Sequence, residues 1–507
     1  MEPYPWWNEE HKKLAVEIKK FVNEVIPRDE ESRYKREFPW DILEKAGERG
    51  FGGVSIAKEY GGMELGAIGA CIVVEEMGRM PGLGRAFTGN MLGGLRQIEL
   101  FGTEEQKKRW LPEFAEGKKV GAICITEPLV GTDAAGIETV ARREGDKYLI
   151  TGKKRYIVSA GMADRHMLYA KTSNDPEDRR RYRHLTGFIV EKGMPGFTTE
   201  RIYEIIGFDN IQNGVLNLDN VPVPMENRIG EEGDGWKIMM AGLNFERTLI
   251  AALVIGWLRE VVRAAVPYTQ RRVQFGRPTS DLVNNQLKIA DLFIKLKMAR
   301  LGSHYNAYLH DLGHDIALSS AGSKVFNCES AVECARAAMQ IMGGDGVNKL
   351  YSPWVFYNLG KVEEIAGGTM EACRLIAYRM GLSEMAEDIK MPRRVVHEEL
   401  GVPITTYEKP EKLSQINEDA LLKMLAEDYR VNPGLHMTRG DIKDVFDVDD
   451  KELDRVLVSL EEKGLAILFR GRKGIELAKA TYQGLNKAHP IEYYQWFPSW
   501  VDERRRF

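Results

Sequence analysis

The spacing of apolar positions changes twice along the chain. Between residues 8 and 117, apolar side chains recur three or four apart, as in HKKLAVEIKKFVNEVIP, which predicts a helical domain. Between Val120 and about Val223 the chain carries short alternating or β-branched runs such as KYLITG, RYIVSA and GVLNLDNVPVP, which predict a mostly antiparallel sheet or small barrel. Residues 235–383 return to long apolar helices that suit a packed bundle. These periods predict a multidomain α+β protein.

A further unit follows a break in the pattern. Residues 384–416 are Pro-rich, charged and poorly periodic, as in a linker. Beyond them, NEDALLKMLAED and TRGDIKDVF predict short helices, and LAILFRGRKGIEL predicts a hairpin. A third helix, KELDRVLVSLEEKG, places four apolar residues on one face: Leu453, Val456, Leu457 and Leu460. Three helices and a hairpin resemble a winged helix-turn-helix.

The patterns together predict five divisions of the chain. They are an N-terminal helical domain, a β-domain, a helical bundle, a linker, and a winged-helix-like domain with an aromatic tail, at residues 1–119, 120–234, 235–383, 384–416 and 417–507. A winged helix can bind DNA, but residues 411–507 carry 16 basic and 18 acidic side chains. Repulsion from phosphates disfavours DNA binding, so packing or docking of a partner is the expected role.

The composition narrows the classes of partner. The 507 residues carry 71 Lys and Arg against 75 Asp and Glu, which gives no reason to expect nucleic acid or an anionic membrane. The five cysteines lack CxxC spacing, so neither a disulfide framework nor a metal site is expected, and a reducing compartment fits best. No apolar run reaches the roughly 20 residues that span a bilayer, and no targeting pattern is evident. A soluble cytoplasmic protein is expected.

Four short stretches carry candidate chemistry. ICITEPLVGTDAAG, residues 123–136, is a strand that runs into a Gly-rich turn, where backbone N–H groups and small hydroxyls can approach a flat or anionic ligand. KKRYIVSAG places Tyr156 on a strand, where an aromatic is more often core than cofactor wall. RRVQFGRP is a basic-aromatic turn, and QIMGGDGV is a Gly-rich turn. Taken singly, each is typical of an ordinary turn or strand.

In their order and spacing, these stretches resemble the acyl-CoA dehydrogenase family over residues 8–383. TEPLVGTD is similar to the family's TEPxxGSD segment, KRYIVSA to its KxWITN strand, QFGRP to its TFGxP turn, and IAGGT to its IxEGT loop. The resemblance implies an N-terminal helical domain, a central β-domain and a C-terminal four-helix bundle, to which the winged-helix-like domain is added. It also implies FAD, an acyl-CoA substrate, an electron-transfer flavoprotein as electron acceptor, and a homodimer or homotetramer.

The resemblance implies roles for individual residues as well. On the flavin and thioester side these are Ile125, Thr126, Gly131, Thr132, Tyr156 and Val158. The substrate would be held by Thr132, Asn244, Arg247 and Gly367. The rest of the cofactor would be held by Arg272 and Phe275, lent by a neighbouring subunit, and by Gln340, Gly344, Thr369 and Glu371. Arg suits the pyrophosphate because its planar fork matches phosphate oxygens.

The group that moves the proton is missing from its usual place. The family's reaction removes a proton from the carbon next to the thioester carbonyl, which requires a positioned base. In most members that base is the Glu of EGT, and here Gly367 occupies the position. Glu363, Glu364 and Glu371 are close in sequence, but at their spacing on a loop-helix junction they are expected to point elsewhere.

A better candidate lies in GLNFERTLIAA, residues 242–252. This stretch resembles the GLDLER segment of the isovaleryl-CoA and long-chain branches, whose base is on a bundle helix and, in isovaleryl-type members, is paired with a Gly-Ala-Gly-Thr loop. Glu246 matches that position. Gly367 would then contribute its backbone N–H to the thioester oxygen. The alternative is that Glu246 only forms an ion pair with Arg247 or Lys297.

Some residues depart from the family's pattern. Val158 replaces a hydroxyl expected at the flavin, Val283 replaces a Gln, Asp209 replaces an Arg, and residues 358–360, Asn-Leu-Gly, replace Arg-Asp-Ala. They keep open a second function, an acyl-CoA dehydrogenase-like scaffold or partner-binding protein with weak or no activity. Arg85 is one position from the carboxylate-binding Arg of some dicarboxylyl-CoA members and is expected to be a surface charge. A base on the helix suggests a pocket for branched or bulky acyl chains.

Overall fold

The computed structural model of the chain describes residues 3–90, 95–385, 412–431, 434–471 and 474–488. It divides into two units, Met1–Glu387 and Asp388–Phe507, which are taken in turn. Most of the predicted linker, the tip of the predicted hairpin and the aromatic tail lie outside the described residues.

The first unit begins with helices. Those described before the sheet are α1 (Glu9–Lys35), α2 (Trp40–Glu48), α3 (Gly66–Met77), α4 (Pro81–Asn90), α5 (Arg96–Phe101) and α6 (Glu104–Ala115). The Asn8 side chain accepts a hydrogen bond from the His11 backbone N–H at 2.8 Å, which satisfies one of the free donors at the start of α1. Helix α3 is apolar on nearly every side, so it lies in the core rather than on the surface.

A mixed but mostly antiparallel sheet follows. Its strands are β1 (Gly121–Cys124), β2 (Val140–Glu144), β3 (Lys147–Val158), β4 (Arg165–Lys171), β5 (Leu185–Glu191), β6 (Phe197–Ile202), β7 (Asn213–Pro224) and β8 (Arg228–Ile229). Their order is β6-β7-β3-β2-β4-β5-β8, and β1 pairs in parallel with β4. A short helix, α7 (Pro176–Arg180), lies between β4 and β5.

The runs KYLITG and RYIVSA do not form separate strands. KYLITG and the first four residues of RYIVSA belong to β3, and its pairing with β7 shifts register between Ile150 and Gly152 and again between Lys154 and Ile157. The second shift includes Tyr156, which has a positive φ of 57°. Such irregularities bend a strand and turn a side chain away from the regular alternation. The local sequence shows two β-rich runs but not the bulges that join them.

Long helices complete the first unit. They are α8 (Gly235–Arg271), α9 (Val283–Asp311), α10 (Ala317–Met342), α11 (Pro353–Glu363) and α12 (Met370–Glu384). A small hairpin, β9 (Val273–Gln274) and β10 (Arg277–Pro278), connects α8 to α9. The middle of α8 is buried on all sides, which explains its continuous apolar run. The expected class, helical domains before and after a central β-domain, is confirmed, whereas the exact divisions stay predictions.

A buried ionic cluster joins α3 to α8 and α9. Glu75 on α3 is fully buried, and its carboxylate lies 3.0 Å from Arg300 Nε, 2.8 Å from His304 Nε2 and 3.2 Å from Arg259 Nη1. Burial alone would raise the pKa of Glu75, but the hydrogen bond with His304 and the charges of Arg300 and Arg259 lower it to about 2. Removing one member of a buried ion pair typically costs about 3–5 kcal/mol, because the partner charges stay buried.

This cluster predicts acid sensitivity. A carboxylate whose pKa is lowered by folding contributes stability above its unfolded pKa, here near 4.5, and that contribution is lost as the pH falls towards about 2. In urea titrations from about pH 6 to pH 3, the free energy of unfolding should therefore fall more steeply for the wild type than for Glu75→Gln. Equal slopes would show that Glu75 is not held ionised by the fold.

None of the helices within the described ranges is both long enough and apolar enough to cross a membrane. The cytoplasmic location stays a prediction.

The second unit contains helices packed on a small sheet. Its described elements are α13 (Glu418–Val431), β11 (Met437–Thr438), α14 (Arg439–Lys443), α15 (Asp450–Glu462), β12 (Ala466–Gly471), β13 (Gly474–Ala480) and α16 (Tyr482–Ala488). The strand order is β11-β13-β12. The apolar face predicted for α15 is buried, at Leu453, Val456, Leu457 and Leu460.

Basic side chains around α15 are paired within this unit. Arg439 lies 2.5 Å from Asp454, Lys443 lies 2.5 Å from Asp450, and Arg470 pairs with Glu461. Acidic residues on α15 thus neutralise three basic side chains of the kind that contact phosphates in nucleic-acid complexes. The expected absence of DNA binding and the winged-helix-like assignment both stay predictions.

Candidate active site

Glu246 and Gly367 face each other across the interior of the first unit. Glu246 is on α8 and is 7% exposed, and Gly367 is in the loop between α11 and α12. A Cβ atom built on Gly367 would lie 3.6 Å from Glu246 Oε1 and 2.7 Å from Ile250 Cδ1. The carboxylate therefore comes from the helix, and the space that a loop side chain would need is filled from α8.

The loop backbone has a free donor and a fixed shape. Gly367 and Gly368 have φ values of 64° and 94°, a region that glycine adopts without steric cost. The Lys324 Nζ group on α10 donates to the Gly368 carbonyl oxygen. Thr369 begins α12 by accepting a hydrogen bond from the Ala372 N–H at 3.2 Å. No acceptor among the described residues takes up the Gly367 N–H, so it can serve a ligand.

Arg85 is not a surface charge as the sequence led us to expect. It is on α4, is 5% exposed, and its Nη2 atom lies 3.7 Å from Glu246 Oε1. Its Nε atom lies 2.8 Å from Glu363 Oε1, at the end of α11. Glu363 is fully buried, and its carboxylate is directed at Arg85.

The charges around Glu246 have opposite effects on its pKa. Burial raises the pKa of Glu246, Arg85 lowers it, Glu363 raises it, and Lys324 and Arg247 lower it. The net shift is upward, because desolvation of the carboxylate is the largest contribution. A carboxylate with a raised pKa is a stronger base once it has lost its proton.

The predicted substrate residues on α8 lie beside this pair. Arg247 Nη1 donates to Asn244 Oδ1 at 2.7 Å. A Cβ atom on Gly368 would lie 3.9 Å from Arg247 Nη2. The structure therefore brings Asn244, Arg247 and the glycine loop together. The ion pair of Glu246 is with Arg85, neither of the two partners considered from the sequence.

The predicted flavin contacts lie near the carboxyl ends of two strands, β1 and β3. The Arg155 N–H donates to the Thr126 carbonyl oxygen at 2.8 Å, which links the TEPLVGTD segment to β3. Tyr156 is 49% exposed, an unusual state for an aromatic residue of a sheet. Its positive φ and a hydrogen bond from Asn213 Nδ2 to its carbonyl oxygen fix the backbone here. An exposed ring beside a Gly-rich turn fits a flat cofactor.

The rest of that predicted set is at least partly exposed at the same strand ends. Gly131 and Thr132 are exposed, Ile125 and Val158 are half-buried, and nothing lies within 4 Å of a Cβ atom built on Gly131. The turn can therefore approach a ligand closely.

Four residues predicted to hold the rest of the cofactor lie at other places in the bundle domain. Arg272 follows the end of α8, roughly 40 Å along the helix axis from Glu246 by the rise of an α-helix. Phe275, in the hairpin after it, is 91% exposed. Tyr268 donates to Asp345 at 2.8 Å, which places the turn with Gly344 at the same end of the bundle. Arg272, Phe275 and Gly344 therefore lie away from Glu246 in their own chain, and Gln340, near the end of α10, is exposed.

The chain is similar to known proteins over most of its length. The N-terminal, middle and C-terminal domain models of the acyl-CoA dehydrogenase family match residues 8–118, 122–221 and 233–382. The chain is 35% identical to an acyl-CoA dehydrogenase of Bacillus subtilis (strain 168) over 355 residues, 70% of this chain and 92% of that protein. It is 33% identical to the mitochondrial isovaleryl-CoA dehydrogenase of Oryza sativa subsp. japonica over 366 residues, 71% of this chain and 88% of that one.

A solved structure shows the same fold. The butyryl-CoA dehydrogenase of Megasphaera elsdenii is similar with a TM-score of 0.71 and 28% identity, over 75% of this chain and all of that one. Three domain models in the expected order, and relatives matched over most of their length, agree with the fold and with the motifs of the site. The chain belongs to the acyl-CoA dehydrogenase family of FAD-dependent oxidoreductases.

Proposed function

We propose that this chain oxidises an acyl-CoA thioester to the trans-2-enoyl-CoA, with Glu246 as the base that removes the α-proton. The observation that carries the proposal is the buried Glu246 carboxylate opposite Gly367, whose N–H is free to bind the thioester oxygen. A base and an oxyanion donor that face one space are what removal of a proton beside a carbonyl requires.

Burial of Glu246 supports this chemistry in two ways. It raises the pKa of the carboxyl group, so that the ionised form takes up a proton more readily. It also keeps water from the carboxylate, which strengthens the hydrogen bond from Gly367 to a developing enolate oxygen. Because only ionised Glu246 can accept the proton, the rate should rise with pH through the raised pKa of Glu246.

The residues near the ends of β1 and β3 would hold the cofactor. We propose that Thr126 and Tyr156 pack against the flavin, and that Thr369, at the start of α12, contacts it from the bundle. Bound FAD supplies the acceptor for the hydride that leaves the β-carbon. Val158 has no hydroxyl, so only its backbone can hydrogen-bond there.

Substrate and electron acceptor are proposed from the family. A base on α8 is the arrangement implied for the isovaleryl type, and a rice isovaleryl-CoA dehydrogenase is among the relatives, so branched or bulky acyl chains are the proposed substrates. An electron-transfer flavoprotein is the proposed acceptor. The second unit is proposed to dock a protein partner.

The experiment is a panel of thioesters. Purified protein should be yellow, and isovaleryl-CoA, butyryl-CoA and longer branched thioesters should be mixed with it anaerobically while flavin absorbance is followed. Bleaching by branched chains faster than by straight ones would support the proposal. Protein that stays colourless after FAD is added, or that no thioester reduces, would instead favour the scaffold function.

Sharing of the site between copies gives a further prediction. If Arg272 serves the Glu246 site of another copy, Glu246→Gln and Arg272→Gln variants should complement each other when coexpressed. Each mixed dimer then holds one intact site, so random pairing should restore about one quarter of the wild-type sites. Each variant alone should be nearly inactive. Coexpressed variants as inactive as the single ones would show that Arg272 serves its own chain or no site.

A further inference from the structure

Glu246 is surrounded by charges from several elements, not by an apolar wall alone. Arg85 comes from α4, Glu363 from α11 and Lys324 from α10, and Arg247 follows Glu246 on α8. From the sheet, the buried Tyr169 of β4 is close enough that Glu246 raises its pKa further, although burial is the main cause.

Arg85 lies between two carboxylates. Its Nε atom is 2.8 Å from Glu363, and its Nη2 atom is 3.7 Å from Glu246. The shorter contact has ion-pair distance but not the alignment of a hydrogen bond. Within the described parts of the chain, neither oxygen of Glu363 accepts a hydrogen bond. Glu363 is thus a buried carboxylate that depends on Arg85 for neutralisation.

The Arg85 guanidinium is thus shared between the carboxylates of Glu246 and Glu363. In a site of low dielectric constant, a guanidinium close to a carboxylate strongly favours the ionised form. With Glu363 absent, Arg85 would be free to form a tight pair with Glu246, and a tightly paired carboxylate is a weaker base and is held in one orientation. With Arg85 absent, the charge of Glu363 would act on Glu246 without compensation, and the protonated form of Glu246 would be favoured.

We propose that Arg85 and Glu363 are positioning residues. Together they keep Glu246 ionised without a tight ion pair between Arg85 and Glu246, so that Glu246 can take the α-proton. Arg85 supplies the positive charge that keeps a buried base ionised. Glu363 draws Arg85 away from full contact with that base. This inference rests on the proposed role of Glu246, and it uses no contact of Arg85 or Glu363 with the substrate.

The proposal predicts opposite effects of two neutral replacements. In Arg85→Gln, the apparent pKa for anaerobic flavin reduction by isovaleryl-CoA should rise by about one unit or more, so that the rate below that pKa falls about tenfold per unit. In Glu363→Gln the apparent pKa should fall, and the limiting rate at high pH should also fall, because Arg85 can now pair with Glu246. Arg85→Lys should restore most of the wild-type profile.

A second readout does not depend on turnover. The protonated carboxyl band of Glu246, identified by its absence in Glu246→Gln, is followed by infrared difference spectroscopy as the pH of substrate-free protein is changed. It should titrate at higher pH in Arg85→Gln and at lower pH in Glu363→Gln. If Arg85→Gln does not fold, Arg85→Met combined with Glu363→Gln removes both charges together, and a smaller upward shift is expected, since Arg85 has the larger effect on Glu246.

Flavin reduction and infrared titration together distinguish failure of the proposed base from failure of the positioning role. If Glu246→Gln still reduces flavin at the wild-type rate, the proposed base is wrong even where the infrared shifts are found. Folded Arg85→Gln and Glu363→Gln proteins whose profiles stay unshifted, or shift in the same direction, would overturn the positioning role. A rise in KM for isovaleryl-CoA with an unmoved pH profile would also overturn it, since Arg85 would then act on the thioester.

Discussion

Replacing Glu246 by Gln should nearly abolish anaerobic reduction of the flavin by an acyl-CoA thioester. A positioned general base contributes about 10²–10⁴-fold to the rate, and a loss of that size is expected. Gln fills almost the same volume beside Gly367 and Ile250, so the packing of α8 against the loop should survive. It cannot take a proton, and the described neighbours of Glu246 offer no obvious substitute, because Glu363 is engaged with Arg85.

The change should act on the chemical step and not on binding. Stopped-flow bleaching at several concentrations of isovaleryl-CoA would separate the limiting rate from the apparent affinity, and only the limiting rate should fall by orders of magnitude. Glu364→Gln is the matched control, because Glu364 lies in the same loop but pairs with the exposed Lys361 at 2.7 Å. The control should bleach at the wild-type rate. Unchanged bleaching by Glu246→Gln would remove Glu246 from the role of base.

The core of this site could be predicted from sequence because two local motifs report it. GLNFER places a carboxylate on a bundle helix, and IAGGT lacks one on the loop. The family resemblance implies that the two positions face each other. The structure gives the physical reason: a Cβ atom added at Gly367 would lie in contact with the Glu246 carboxylate. Tyr156 could also be identified from its motif. Its positive φ and its exposure depend on a bulge that no local sequence pattern predicts.

Arg85 and Glu363 escaped prediction for a different reason. Each lies in a stretch where a charged side chain is ordinary: GLGRAF at the start of α4, and KVEEI at the end of α11. Nothing within either stretch reveals that the two are buried, since burial of a charge depends on a partner far away in sequence.

The glycine at position 367 should not tolerate a side chain while Glu246 and Ile250 are in place. Gly367→Ala puts a Cβ atom 2.7 Å from Ile250 Cδ1 and requires a left-handed φ of 64°, so a loss of about 1–3 kcal/mol in the free energy of unfolding is expected. The matched control is Gly381→Ala on α12, where nothing lies within 4 Å of the added carbon and a small gain is expected. Urea unfolding measures both.

The same contact predicts how a base could be moved to the loop. Gly367→Glu alone should lose stability and activity, because a second carboxylate is forced against Glu246 in a buried site. Adding Glu246→Gly and Ile250→Ala empties the space that the new side chain needs, so the triple variant should reduce flavin faster than Glu246→Gln does. If Gly367→Ala proves as stable and as active as the wild type, the close packing of α8 against this loop is wrong. If the triple variant folds but is no faster than Glu246→Gln, Gly367 does not face the α-carbon, and the base is on α8 for a reason other than the close packing at Gly367.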